Sequence, residues 1–165
     1  FSRSTPSNGR GGIQNPAGFA MHLETDHRRV ETRFRFRPEW CGFPGTVHGG
    51  LIATALDEVM VWAVGVATGH LTYCGEMTVR YQRPTRPDVE VLCRGELVEN
   101  RRNRLCLARA SLFNAEGELL AESSGKYLPI PAELRPRMLE DFIEDPSAIF
   151  RPSGTLPPVS GRTTE

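Results

Sequence analysis

Residues 44–60 read Pro44-Gly45-Thr46-Val47-His48-Gly49-Gly50-Leu51-Ile52-Ala53-Thr54-Ala55-Leu56-Asp57-Glu58-Val59-Met60. A glycine-rich turn runs straight into an apolar stretch with helical spacing, which continues to about residue 67. At about 100° per residue, Ile52, Ala55, Val59, Ala63 and Val66 fall on one side. Gly49, Gly50, Ala53, Thr54, Asp57, Val61 and Val64 fall on another, and Leu56, Met60 and Trp62 fill the flanks. A helix that is apolar nearly all round must be buried on all sides. One side calls for a sheet. The small-residue side calls for a second surface, and another copy of the same helix supplies it most economically. A symmetric dimer with Asp57 near the junction is therefore expected.

The segments around the helix carry strand signals. In 29–37, Val30, Thr32, Phe34 and Phe36 alternate with Arg29, Glu31, Arg33, Arg35 and Arg37, the mark of a half-exposed antiparallel strand. A similar alternation covers 18–25, and Thr25-Asp26-His27-Arg28 supplies a hairpin turn. After the helix, strands are expected at 73–82, 88–99, 104–113 and 118–128. Asn100-Arg101-Arg102-Asn103 and Asn114-Ala115-Glu116-Gly117 provide turns between them. The order β-β-α-β-β-β-β, with about six strands and one long helix, gives an α+β fold with the helix against an antiparallel sheet.

Around this core of 17–130, residues 1–16 read as a flexible N-terminal segment and 131–165 as a proline-rich tail. Only 133–144 in the tail is suited to a short helix. With 165 residues the chain has length for one domain with a real core. Basic and acidic residues balance at 20 each, which argues against a general nucleic-acid binder. Cys41, Cys74, Cys93 and Cys106 form no CxxC pair and have no histidine cluster beside them. Neither a metal site nor a disulfide framework is expected. The polar N-terminus is no signal peptide, and the apolar run 59–68 is too short to span a bilayer. The expectation is a soluble, cytoplasmic protein without a membrane partner.

The chemistry concentrates in the helix. Burying a carboxylate unpaired costs several kcal/mol, so Asp57 either serves a reaction or is tied to a neighbour and holds the interface. Gly49 and Gly50 sit where free N–H groups and the helix dipole favour a developing oxyanion; close packing is the other reading of the two glycines. His48 stands where its ring can cap the helix. Glu58, about 100° round from Asp57, reads as a solvated or rim residue.

Pro44-Gly45-x-Val47-His48-Gly49-Gly50-x-Ile52-Ala53-Thr54-x-Leu56-Asp57-Glu58 resembles the HGG…D segment of the hotdog-fold acyl-CoA thioesterases of the PaaI-like group. The element order agrees with that fold. Supporting echoes are Asn15-Pro16-x-Gly18-Phe19, 78–84 and the turn at 114–117. The resemblance covers about 14–130. It implies a sheet wrapped round a central helix, and a homodimer or homotetramer in which two sheets join. It also implies hydrolysis of an acyl-CoA thioester, with coenzyme A entering as part of the substrate and no cofactor or metal required. Asp57 then matches the catalytic carboxylate, as general base or nucleophile. Gly49 matches the glycine whose N–H polarises the thioester carbonyl, the two coming from opposite subunits. His48 matches a histidine near the site. Gly50, Thr54, Cys74, Arg80 and Arg83 are the substrate-binding candidates, the arginines for the coenzyme A phosphates, with Arg101, Arg102 and Arg104 further candidates. Two departures stand out. Cys41-Gly42-Phe43 carries no amide where some relatives hold the attacking water, and Cys74 occupies a position where many place Ser or Thr. A non-catalytic acyl-CoA-binding module is the alternative, and a hotdog hydratase or dehydratase a further one.

Overall fold

The alternation at 29–37 folds as its pattern demands: Val30, Thr32, Phe34 and Phe36 are buried, and Arg29, Arg33, Arg35 and Arg37 are exposed. The computed structural model describes residues 18, 19, 21–26 and 29–136. Strands β1 (Glu24–Asp26) and β2 (Arg29–Arg35) come first, then a 3-10 turn at Pro38–Trp40. A small hairpin of β3 (Cys41–Phe43) and β4 (Thr46–Val47) leads into helix α1 (Gly49–Thr68). Four long strands follow: β5 (Thr72–Tyr81), β6 (Glu90–Arg101), β7 (Leu105–Asn114) and β8 (Leu119–Pro129). The main sheet has six strands in the order β1-β2-β6-β7-β8-β5, every neighbour antiparallel.

The helix and the four strands after it fall where the periodicity placed them, to within two residues at each end. The first strand is shorter than expected. Its ladder covers only Glu24–Asp26, although Met21 and Leu23 keep the buried-exposed alternation. The chain before it is held by aromatic packing instead: Phe19 meets Phe34, Phe36 and Trp40 edge-on, with ring centroids 4.9–5.9 Å apart. The β3–β4 hairpin escaped the pattern reading because its strands are too short to show a period. His27 and Arg28 of the expected hairpin turn, the segment 1–16 and the tail beyond 136 lie outside the described residues. Within 133–144, the described part holds the end of a 3-10 turn at Ala132–Leu134 and then Arg135 and Pro136 in helical conformation.

The sheet curls round α1, which packs against β2, β5, β6, β7 and β8. Length and composition alone would let this helix cross a membrane, yet here it is the core helix. Ile52, Ala55, Leu56, Val59, Met60, Trp62, Ala63, Val64 and Gly65 are buried. The side that keeps access to solvent carries Gly50, Ala53, Thr54, Asp57 and Val61. Val64 is the one residue assigned to the small-residue side that is fully covered. Gly69 ends the helix in the left-handed region (φ 72°) and donates its N–H to Gly65 O at 2.8 Å, a glycine C-terminal cap.

The two strand connections expected from composition are tight turns. Arg102 and Asn103 are both left-handed, and Arg104 N–H bonds Arg101 O at 3.0 Å, which joins β6 to β7 in a turn matching the sheet twist. In the next turn Gly117 takes φ 82°, and Asn114 Oδ1 accepts from Glu118 N–H at 2.7 Å.

Candidate active site

The entry to α1 is built from three directions. Val47 N–H bonds Thr85 O at 2.9 Å, and His48 N–H bonds Trp40 O at 2.8 Å. His48 has extended backbone (φ −62°, ψ 129°), and its Nδ1 accepts from Gly50 N–H at 3.0 Å, capping the helix through a side chain. The bond commits Nδ1 of the ring to the helix cap. A Cβ on Gly42 would come within 3.1 Å of that ring, so this glycine makes room for His48.

His48 takes the Gly50 N–H and leaves Gly49, the first helical residue, with no intrahelical acceptor for its own. Tyr81, at the end of β5, donates its hydroxyl to Gly49 O at 2.8 Å. A Cβ on Gly49 would lie 3.2 Å from the Tyr81 ring, tighter than ordinary contact. Gly49 therefore sits under an aromatic lid that faces solvent, with its amide pointing along the helix axis.

Two turns further on, Asp57 is half-buried. Tyr127 donates its hydroxyl to Asp57 Oδ1 at 2.7 Å. The β8 strand brings this tyrosine to the inner face of the sheet, directly opposite Cys74 in β5 and Cys106 in β7. Burial, then the neighbouring Asp57 carboxylate, pushes Tyr127 well above the ordinary tyrosine range, so it remains a donor. Cys74 lies beside Tyr127 in the ladder and within reach of the Asp57 charge. Burial pushes its thiol up first, and the Asp57 charge adds to that. It stays protonated, which suits a weak polar neighbour and not a nucleophile.

Glu58 departs from the rim position expected of it. It is half-buried and accepts from Trp62 Nε1 at 3.1 Å, and desolvation raises its pKa. Thr54 turns its hydroxyl back to Gly50 O at 2.9 Å, one turn before Asp57 on the same face. Arg80 is exposed near the end of β5. Arg83, also exposed, bonds Leu119 O at 3.3 Å and lies 3.9 Å from Glu118. Arg101 is paired with Glu99 at 3.0 Å at the far end of the β6–β7 hairpin, beside Arg102 and Arg104.

The fold thus brings Asp57, Cys74 and Tyr127 together. It places His48, Gly49, Gly50 and Tyr81 in a second cluster. These clusters are separated along one helix by eight residues, about 12 Å of rise. Sequence reasoning missed both tyrosines. A signal for Tyr127 was present: it continues the inward row Ala121, Ser123, Gly125, and a buried tyrosine needs a partner for its hydroxyl. A separate surface cavity of about 380 Å³, lined by Arg33, Glu90, Leu92, Arg94, Phe113 and Asn114 among others, includes none of these groups.

One long helix wrapped by a six-stranded antiparallel sheet defines a hotdog-fold protein. A model of the thioesterase superfamily matches residues 44–121. Acyl-coenzyme A thioesterase THEM4 of Bos taurus is 25% identical over 124 residues, 74% of this chain and 51% of that protein. The chain thus spans about half the length of that curated relative. Among solved structures, PaaI from the Escherichia coli phenylacetic acid degradation operon aligns with a TM-score of 0.64 and 13% identity, covering 68% of this chain and 81% of that one. A Streptococcus mutans UA159 protein bound to acetyl CoA aligns with a TM-score of 0.62 and 16% identity, covering 67% and 88%. These matches bear out the resemblance to the hotdog-fold thioesterases read from His48-Gly49-Gly50 and Asp57.

Proposed function

We propose that the chain hydrolyses an acyl-CoA thioester to a free acid and coenzyme A. The observation that carries this reading is the pairing on one helix of a free N-terminal amide, Gly49, with a half-buried, hydrogen-bonded carboxylate, Asp57. Acyl transfer to water needs a group to activate the attacker and donors for the oxyanion. Asp57 takes a proton from water, which adds to the thioester carbon, or it attacks that carbon itself and forms a mixed anhydride that water then opens. In either course the carbonyl oxygen gains charge against the Gly49 N–H. Collapse expels the coenzyme A thiolate, which is protonated on release. Neither course calls for a metal or redox group.

About 12 Å separates Gly49 from Asp57 along the helix, whereas one reacting carbonyl must lie about 3 Å from both. The site is therefore read as shared, with Asp57 from one subunit and Gly49 from its partner. The unpaired edge of β5 and the half-exposed face of Gly50, Ala53, Thr54, Asp57 and Val61 suit a homodimer in which two sheets join. A homotetramer would pair two such dimers. Arg80, exposed and at the same end of β5 as Tyr81, is the better placed candidate for coenzyme A phosphates. Arg83 would have to leave Leu119 O and Glu118. We place the protein in the cytoplasm on its cysteine usage, which fits a reducing compartment.

The test is thiol release, followed with a free-thiol reagent, over short, long and aromatic acyl-CoAs beside Asp57→Asn. Turnover in the wild type that falls about 10²–10⁴-fold in Asp57→Asn supports hydrolysis. Binding of acyl-CoA with no turnover of any of them favours the non-catalytic module instead.

A further inference from the structure

We propose that Tyr127 is a positioning residue, which reserves one oxygen of Asp57 for itself and so fixes the other toward the substrate. Its kinetic consequence rests on the thioesterase reading above; the coupling of the two residues does not.

The hydroxyl of Tyr127 is 2.7 Å from Asp57 Oδ1. The residue is fully buried, at 0% exposure, so it cannot touch a substrate and is no catalytic residue. The terminal torsion of an aspartate is soft and nearly two-fold. A carboxylate without that bond would present either oxygen over a range of angles. With Oδ1 taken, Oδ2 is left for water or for the thioester carbon.

The sheet is built to accept this ring. A Cβ at Gly125 would stand 2.7 Å from the Tyr127 ring, so only glycine leaves the space. The residues opposite Tyr127 on both neighbouring strands are cysteines, Cys74 and Cys106, which are small. Three small residues on three strands form the slot for one large one.

The titratable groups around Asp57 are few. Helix α1 brings Glu58, β5 brings Cys74 and β8 brings Tyr127. On β7, Cys106 lies beside Tyr127, and on β6, Cys93 is bonded to Ala55 O at 3.7 Å. The inner face of β2 carries Val30, Thr32 and Phe34, none of which titrates. Tyr127 is the only hydroxyl donor to Asp57 among the described residues. Removing the hydroxyl frees Oδ1 and lets the carboxylate turn, so turnover falls in Tyr127→Phe while substrate binding changes little. A merely structural tyrosine would lower the melting temperature and leave the carboxyl resonance of Asp57 in place.

The experiment is carbon-13 NMR of the Asp57 side-chain carboxyl in wild type and Tyr127→Phe at one pH, beside the kinetics of thioester hydrolysis. The expected result is a displaced carboxyl resonance in the variant. With it come kcat lower by about 10- to 100-fold and KM changed less than about twofold. An unchanged carboxyl resonance in the folded variant overturns the proposal. If the variant does not fold, the Tyr127 Cζ resonance decides: it must move in Asp57→Asn, and a Cζ signal that stays in place overturns the proposal. A wild type that turns over no thioester while its Asp57 resonance still depends on Tyr127 overturns the thioesterase reading and upholds the coupling.

Discussion

Gly95 of β6 lies directly beneath the backbone of Val59, so closely that a Cβ on it would come within 2.4 Å of the Val59 carbonyl oxygen. The next contacts are 2.6 Å from the carbonyl carbon and 3.1 Å from Met60 N, so no side chain can swing aside to relieve them. The helix carrying Asp57 is seated on the sheet at this point. Gly95→Ala must lift it or unwind it. Overpacking of this kind costs about 1–3 kcal/mol or more. Thermal unfolding should therefore show a melting temperature lower by at least about 5 °C. Gly117→Ala is the comparison, since nothing lies within 4 Å of its Cβ and its positive φ is the only strain. A Gly95→Ala protein as stable as wild type would mean that the helix does not sit on β6 as described.

Removing Asp57 also strands a buried hydroxyl. In Asp57→Ala the Tyr127 O–H loses its acceptor, and an unsatisfied buried donor costs about 1–3 kcal/mol. Asp57→Asn keeps a carbonyl oxygen that can accept the same bond. Urea denaturation should therefore rank Asp57→Asn above Asp57→Ala. In a Tyr127→Phe background that difference should nearly vanish, because no donor remains to be stranded. Equal stabilities of the two variants in the wild-type background would contradict the bond.

Glu58 gives the fold a pH dependence of definite sign. Burial raises its pKa in the folded state above the ordinary glutamate range, so the folded protein binds this proton more tightly than the unfolded chain does. Stability from this group is greatest below the unfolded value and falls as pH rises through the folded one. Glu58→Gln keeps an oxygen for Trp62 Nε1 at the same position. It should raise the melting temperature at pH 7 and have little effect near pH 4, where the wild-type carboxyl is itself protonated in the fold. A shift of equal size at both pH values would count against the assignment.

How far the sequence could be read depends on the length over which each feature repeats. The helix and four long strands have enough residues to show a period, and they fall where that period puts them. The buried set in β2 is the one that the alternation named. The β3–β4 hairpin has strands of three and two residues, too short for any pattern. Asp57, Gly49 and His48 were visible because a glycine-rich turn and a lone carboxylate are out of keeping with an apolar helix. Tyr127 and Tyr81 were not, because each is seventy or thirty-two residues from its partner. In the sequence both look like ordinary strand tyrosines, and only strand register brings them to the helix. Glu58 shows the same limit: its bond to Trp62 is local, but the burial that desolvates its carboxyl is not.

The distance between Gly49 and Asp57 allows a test of where one site ends and the next begins. Gly49 is the first helical residue, where proline is tolerated and simply removes the N–H. The preceding His48 is already extended, as a residue before proline prefers. The exposed Tyr81 ring can give way to the added ring atoms. Gly49→Pro therefore deletes the proposed oxyanion donor with little disturbance of the fold, and Asp57→Asn deletes the proposed base. Each variant alone should be inactive. If every site takes Asp57 from one subunit and Gly49 from the other, a mixed dimer has one wholly wild-type site and one doubly defective site. Unfolding and refolding the two variants together in equal amounts gives mixed dimers as half of the total. Activity should return to about a quarter of the wild-type level. If both groups of a site belonged to one chain, every site in the mixture would still carry one lesion, and no activity would return. Thiol release from the refolded mixture, read beside each variant refolded alone, separates the two arrangements.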